Sequence, residues 1–313
     1  MLGKTAGGLF WMSRYLERCE NTTRLIDAGF RIALTRSSAA ENEWASLVTT
    51  TGAEQAFHER HDDYSAVGVV DFLLRDKNNP SSVISAIEAA RNNARMARTA
   101  LTREVWEATN ESWITLNALL AEPVSERDLP DTLGLVRRQS SLVRGAMHGT
   151  MLRNEIYDFS RVGTFIERAD NTARILDVKY YVLLPSIAYV GSQLDNVQWE
   201  TILRSVSAHR SYRWLNGDDI NPAGIANFLI FDRRMPRSMM FCYDKIAENL
   251  GFLERDYGEK LDCQTKAETM KATLDGLTIE KLLDSGLHEF LDEFLRDNAD
   301  LANLIEEDYR FYN

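Results

Sequence analysis

Cysteine is scarce in this chain. Cys19, Cys242 and Cys263 are an odd number with no Cys-x-x-Cys spacing, which excludes a disulfide framework and a zinc knuckle and fits a reducing cytoplasm. Proline is scarcer than its length would suggest, at 6 in 313 residues, and alternating β-branched runs are nearly missing. Long stretches with apolar residues at three- and four-residue intervals take their place, so the expected fold class is all-α. A long hydrophobic run is lacking too: the longest uncharged stretch, Tyr180 to Leu194, is too short to span a bilayer and holds Pro185. The apolar patch ending at Trp11 is interrupted by Arg14, Glu17 and Arg18 with no small-residue cleavage site after it, so it does not read as a signal peptide. Positive charge is in deficit, with a net charge of -11, and no global field draws the chain to nucleic acid or to an anionic membrane. A soluble, cytoplasmic protein is expected.

The usual marks of catalysis are missing as well. There is no glycine-rich phosphate loop, no Gly-x-Ser-x-Gly nucleophile context and no Glu-x-x-His pair of the kind that builds a di-iron bundle. His58 and His61, with Asp62 beside them, have a spacing that metals tolerate but no third ligand at helical spacing, and the segment reads as a helix end and polar loop. No cofactor is expected.

What is present is a repeat. The stretch from Phe10 to Asp27 returns 150 positions later without a gap: Glu17 falls on Glu167, Arg18 on Arg168, Asn21 on Asn171, Thr22 on Thr172, Arg24 on Arg174 and Asp27 on Asp177. Every identity is polar. Leu9, Met12, Leu16, Cys19 and Ile26 line up with Phe159, Val162, Ile166, Ala169 and Leu176, keeping apolar character while changing shape. At about 100° per residue these form one core-facing stripe, and Arg14, Glu17, Arg18, Asn21 and Arg24 fall on the opposite side. A solvated face has little reason to hold particular side chains twice, whereas a buried network or a ligand site fixes charge and reach residue by residue.

Two further blocks recur in the same order. Trp199-Glu-Thr-Ile-Leu follows Trp44-Ala-Ser-Leu-Val, and the Phe228 to Ser238 block follows Phe72 to Ser82, with Asp232 on Asp76 and Pro236 on Pro80. Three blocks drifting only by small loop insertions favour a duplication, two tandem pseudo-symmetric repeats over 1–148 and 149–313 within one helical bundle. Helices are expected from about Thr5 to the Arg31 to Arg36 region, from Glu41, over Val69 to Leu74, over Val83 to Thr99, through Trp106 to Leu120, and, after a polar linker from Pro123 to Pro130, from Leu133 to His148. The repeated helix of the second half should end before Pro185, with closing helices over Lys266 to Leu274 and Ile279 to Tyr309. Ser81 or Ser82 can cap the helix after Pro80, Asp76 and Asp232 read as capping or loop-ordering carboxylates, and Arg91, Arg95 and Arg98 as a solvated face or one meeting an acidic partner.

Two readings of the repeated polar face stand. In one, the two helices cross near a pseudo-two-fold axis and staple each other through arginine–carboxylate pairs. In the other, the surplus of arginines serves a carboxylate- or phosphate-bearing ligand, with Glu17 or Glu167 as a general acid or base. The candidate binding residues are Arg14, Glu17, Arg18, Asn21, Arg24, Glu167, Arg168, Asn171 and Arg174. Thr164 stands where the first copy has Arg14, and Arg161 where it has Trp11, so the two copies differ chemically.

The Leu9-Phe-Trp-Met-Ser-Arg-Tyr-Leu-Glu-Arg-Cys-Glu-Asn-Thr and Phe165-Ile-Glu-Arg-Ala-Asp-Asn-Thr-Ala-Arg-Ile-Leu-Asp stretches, with the Phe228 to Ser238 block, resemble the bacterial alpha-E domain family over essentially the whole chain. The resemblance implies a helical domain with a recurrent Glu-Arg motif, carried here by Glu17 with Arg18 and Glu167 with Arg168. It also implies partners: a circularly permuted ATP-grasp ligase-like protein and a transglutaminase-like protein, in a setting of peptide or amide bond chemistry. The expected role is an accessory, substrate-presenting subunit; the alternatives are an enzyme in its own right and a purely structural scaffold. An oligomer is compatible with the sequence.

Overall fold

In the computed structural model, which describes residues 1–35, 40–181, 193–217 and 220–312, the regular elements are helices. The first, α1 (Gly3–Thr35), buries Leu9, Met12, Leu16, Cys19 and Ile26, the stripe expected from spacing. Each such side chain contributes about 1.5–3 kcal/mol on leaving water. It is followed by α2 (Ala40–Thr51), α3 (Glu54–His58), α4 (Ala66–Leu74), α5 (Val83–Met96), α6 (Arg103–Leu119) and α7 (Leu129–Thr150). The second set comprises α8 (Glu155–Tyr181), α9 (Gln193–Ser205), α10 (His209–Asn216), α11 (Pro222–Phe231), α12 (Met239–Tyr257), α13 (Asp262–Gly276), α14 (Ile279–Ser285) and α15 (Leu287–Asp308). The expected end of the repeated helix before Pro185 lies outside the described residues.

Neighbours recur in the two sets. α1 packs on α2, α5 and α7, and α8 packs on α9, α12 and α15; α5 meets α6 as α12 meets α13. α1 and α8 cross each other at the centre, and α9 also touches α1 while α2 touches α8. The crossing is close because Gly163 faces the α1 backbone: a Cβ there would stand 2.3 Å from the Phe10 carbonyl oxygen. The buried apolar side chains form one continuous core that runs from Ala6 to Phe311 and includes both stripes.

The loops before α5 and α12 are built alike, which fixes where those helices start. The Asp76 carboxylate accepts from the Asn78 amide and Asp232 from the Arg234 amide, both at 2.8 Å, so these aspartates order the loop. Capping falls to the serines: Ser82 accepts from the Ser85 amide at 3.3 Å and Ser238 from the Phe241 amide at 3.0 Å.

Two expectations are corrected. The helix expected over Ile279 to Tyr309 is broken at Gly286, whose φ of 107° no helix continues. The polar linker expected to run to Pro130 ends earlier, because Pro130 lies in the first turn of α7, where its missing N–H costs nothing. Arg95 and Arg98 are exposed, as on a solvated face, and Arg91 is half-buried; the Arg91 and Arg98 guanidinium carbons sit 4.2 and 5.4 Å from the ring centroids of Trp113 and Trp106 on α6. The His58 segment is a loop with an aromatic stack, His61 lying 4.5 Å from the Phe57 ring and His58 Nε2 2.8 Å from the Tyr64 hydroxyl.

Candidate functional site

The two Glu-Arg motifs meet where α1 crosses α8, and they pair reciprocally. Arg168 grips Glu17 in a two-pronged bond, Nε to Oε1 at 3.0 Å and Nη2 to Oε2 at 2.8 Å. Arg18 grips Glu167 the same way, Nε to Oε1 at 2.5 Å and Nη2 to Oε2 at 3.0 Å. The planar guanidinium fork matches a carboxylate edge, which a lysine would not. Both glutamates are almost fully buried, at 3% and 6% exposure, so the pairing has to be complete.

Each carboxylate has further partners, and these differ. Glu167 also receives Arg14 Nε at 3.0 Å, from α1 again; Thr164, at the corresponding place on α8, only bonds back to the Ser160 carbonyl. Glu17 receives Arg144 of α7 at 3.4 Å and Arg237, from the loop before α12, at 2.8 Å. Arg237 is itself buried and reaches Glu20 at 3.1 Å and the Asn21 Oδ1 at 2.8 Å. Glu20 also takes Arg24 and Arg144.

These contacts decide the charge states. Burial works against the Glu17 carboxylate, yet Arg168 and Arg237 outweigh it and hold the group far below the usual carboxylate range. Burial likewise opposes Glu167, and Arg18 and Arg14 bring it down to about 2. Burial, ahead of the attraction of Glu17, lowers the Arg237 guanidinium to about 10. A carboxylate locked in its ionised form near neutral pH neither gives up a proton nor takes one readily, so neither glutamate is poised as a general acid or base. Burial pushes the Cys19 and Cys242 thiols up to about 12, which makes them poor nucleophiles. Among the described residues no group of histidine, cysteine, aspartate and glutamate has the arrangement of a metal site.

Beside the Glu167 pair lies a cavity of about 270 Å³, lined by Arg18, Asn21, Thr22, Leu25, Thr50, Thr51, Gly52, Ser81, Glu167, Asp170, Asn171 and Arg174. Two of its residues carry amide groups without partners. The Asn21 oxygen is committed to Arg237, which has only donors, so the unpartnered atom is its Nδ2. Asn171 Nδ2 has no partner among the described residues either. With Asn21 at 4% and Asn171 at 9% exposure, each is a buried donor of the kind that costs about 1–3 kcal/mol to leave unpaired.

Of the residues singled out in the sequence, Arg18, Asn21, Glu167, Asn171 and Arg174 come together around this cavity. Arg14, Glu17, Arg24 and Arg168 do not line it: they belong to the buried ion network, Arg24 bonding Glu20 and the Ser207 hydroxyl. The sequence reading missed Glu20, Asp170, Arg144, Arg237 and Ser81. Glu20 and Asp170 were legible as a carboxylate held at matching positions, and Arg237 lies inside the Pro-Arg-Ser block. Arg144 left no signal.

Fold and site together define a class: an all-helical bundle in which two Glu-Arg helices clasp each other through reciprocal arginine–carboxylate bonds. The chain belongs to the Alpha-E family, described as a predicted alpha-helical domain with a conserved ER motif, whose model matches residues 1–310. It is 22% identical to an uncharacterized protein of Mycobacterium bovis over 94% of this chain and 36% of that one. Uncharacterized proteins of two Mycobacterium tuberculosis strains match at the same identity and coverage. The chain thus spans about a third of the length of the curated relatives it matches. No solved structure matches it. No helix among the described residues is long and apolar enough to cross a membrane.

Proposed function

We propose that this protein is a non-catalytic binding module that holds a small polar ligand in the cavity beside Glu167 and presents it to a larger enzymatic partner, an ATP-grasp amide or peptide ligase. One observation carries the reading: the repeated charges are consumed in mutual pairing while Asn21 and Asn171 keep unpartnered Nδ2 groups at the cavity. A binding site needs groups held ready for a ligand; a proton-transfer site needs groups that titrate, and here Glu17 and Glu167 do not titrate near neutrality. The partner follows from the family resemblance; in the curated relatives the matched stretch is 36% of a longer chain. A transglutaminase-like protein belongs to the same setting.

The same reading takes the chain as a tandem duplication. The reciprocal bonds at the α1–α8 crossing, the matching loops at Asp76 and Asp232, and the recurring neighbours of α1 and α8 support it.

Co-expression with a circularly permuted ATP-grasp ligase-like protein should give a complex that stays together on a sizing column. Clean separation of the two at micromolar concentration contradicts the partnership.

A further inference from the structure

The cavity has a filled counterpart on the other side of the crossing. Under the 150-position shift, Arg18, Glu167, Asp170, Asn171 and Arg174 at the cavity correspond to Arg168, Glu17, Glu20, Asn21 and Arg24. Under the match of Pro80 with Pro236, Ser81 corresponds to Arg237. Arg237 is long enough to insert its guanidinium between Glu17 Oε1 at 2.8 Å, Glu20 Oε1 at 3.1 Å and Asn21 Oδ1 at 2.8 Å. Ser81 reaches nothing comparable, and about 270 Å³ is left open at its side.

That space offers acceptors beside the unpartnered Nδ2 donors of Asn21 and Asn171, and Asn21 Nδ2 stays unpartnered even where Arg237 is docked on its oxygen. The Thr50 and Thr51 hydroxyls donate their protons to the Ser46 and Val48 carbonyls, so lone pairs are what they have left for a ligand. Asp170 has one cationic partner, Arg174 at 2.7 Å, where Glu20 has three. The Asn171 side chain makes no hydrogen bond among the described residues, whereas its counterpart Asn21 accepts from Arg237. Arg18 and Arg174 are already present as cations, and the filled side shows that such a site accepts one more, since Arg237 lies among Arg168, Arg24 and Arg144.

We propose that the cavity receives the guanidinium of an arginine-like ligand, which repeats on Glu167, Asp170 and Asn171 the bonds that Arg237 makes on Glu17, Glu20 and Asn21. The assignment rests on the ligand-binding reading above and adds its chemical class. A planar fork with five donors can address two carboxylates and an amide oxygen at once; an ammonium is a compact point charge without that fixed geometry.

Two measurements test it. Isothermal titration of the full chain with agmatine should show saturable binding at one site. Putrescine, the same chain without the guanidinium, should bind at least tenfold more weakly. Agmatine binding should fall at least tenfold in Asn171→Ala. Ser81→Arg copies Arg237 onto the open side: it should abolish agmatine binding and raise the melting temperature by about 2 °C or more. A lowered melting temperature in Ser81→Arg, misfolding included, or agmatine binding that survives that change, overturns the assignment. If glutamate or pyrophosphate binds and agmatine does not, the cavity remains a ligand site and the guanidinium is wrong. If none of the three binds, both readings fall.

Discussion

On one side of the α1–α8 crossing Glu17 answers three arginines drawn from α7, α8 and the loop before α12; on the other Glu167 answers two, both from α1. The first side keeps only a space of about 30 Å³ beside Glu17, Glu20 and Arg144, and the second opens into a polar cavity of about 270 Å³. The Glu-Arg motif is the same on both, so the motif itself does not decide whether a side is closed. What decides it is the residue that the neighbouring loop supplies: Arg237 closes one side and Ser81 leaves the other open. The repeated charges belong to holding two helices together, and the difference between the sides is where function has room.

The comparison breaks altogether if the crossing is forced apart. Gly163→Val places side-chain atoms against the Phe10 carbonyl oxygen, already 2.3 Å from the site of a Cβ, and both clasps should fail together. We expect a loss of about 3 kcal/mol or more by urea unfolding, at the upper end for overpacking. Opening the filled side alone is milder. Arg237→Ser removes one guanidinium while Arg168, Arg144 and Arg24 still attend Glu17 and Glu20, so a loss of about 2–3 kcal/mol is expected. That variant should recover part of its melting temperature with millimolar agmatine, because it recreates on the Glu17 side the space that Ser81 leaves on the other.

Acid should weaken both sides together. Both glutamates have carboxyls depressed below the ordinary value of 4.5, so their contribution is fully present above that pH and is lost as pH falls through the folded-state values. Glu167 sits at about 2 and Glu17 is likewise held far below the ordinary range, so both sides should loosen over the same acid interval. Melting curves between pH 5 and pH 2 should show a progressive loss, on the order of 3 kcal/mol from Glu167 alone. A profile flat down to pH 2 contradicts the clasp. The smallest effect should come from Asn171→Ala, which removes an unpartnered buried amide and should change stability by less than about 1 kcal/mol.

Much of this was legible before the fold was known, for a physical reason. Apolar positions at helical spacing drift in shape, as Leu16 and Ile166 do, while Glu17 and Arg168 cannot change without leaving a buried charge alone. Setting the two copies side by side therefore exposes the clasp directly. Glu20 and Asp170 differ in length and so fall outside the polar identities, although the carboxylate one methylene shorter pairs with Arg174 as Glu20 does with Arg24. Arg144 is illegible in principle from the repeat, since it arrives from α7 with no matched arginine in the second set. The exchange of Ser81 for Arg237 was visible as letters, and its meaning needed the packing of α5 and α12 beside the crossing. The break at Gly286 was missed because the amphipathic stripe continues on both sides of it.

The most direct test of the clasp is the paired unfolding of Glu17→Gln and Glu167→Gln. Each substitution keeps the shape and removes the charge, leaving buried guanidinium groups uncompensated, and breaking such a pair costs on the order of 3–5 kcal/mol. Both should fall in stability, with Glu17→Gln the larger loss because three arginines depend on it. If both variants stay within about 0.5 kcal/mol of the parent, the range of an ordinary surface change, the two glutamates do not hold the helices together and the account is wrong.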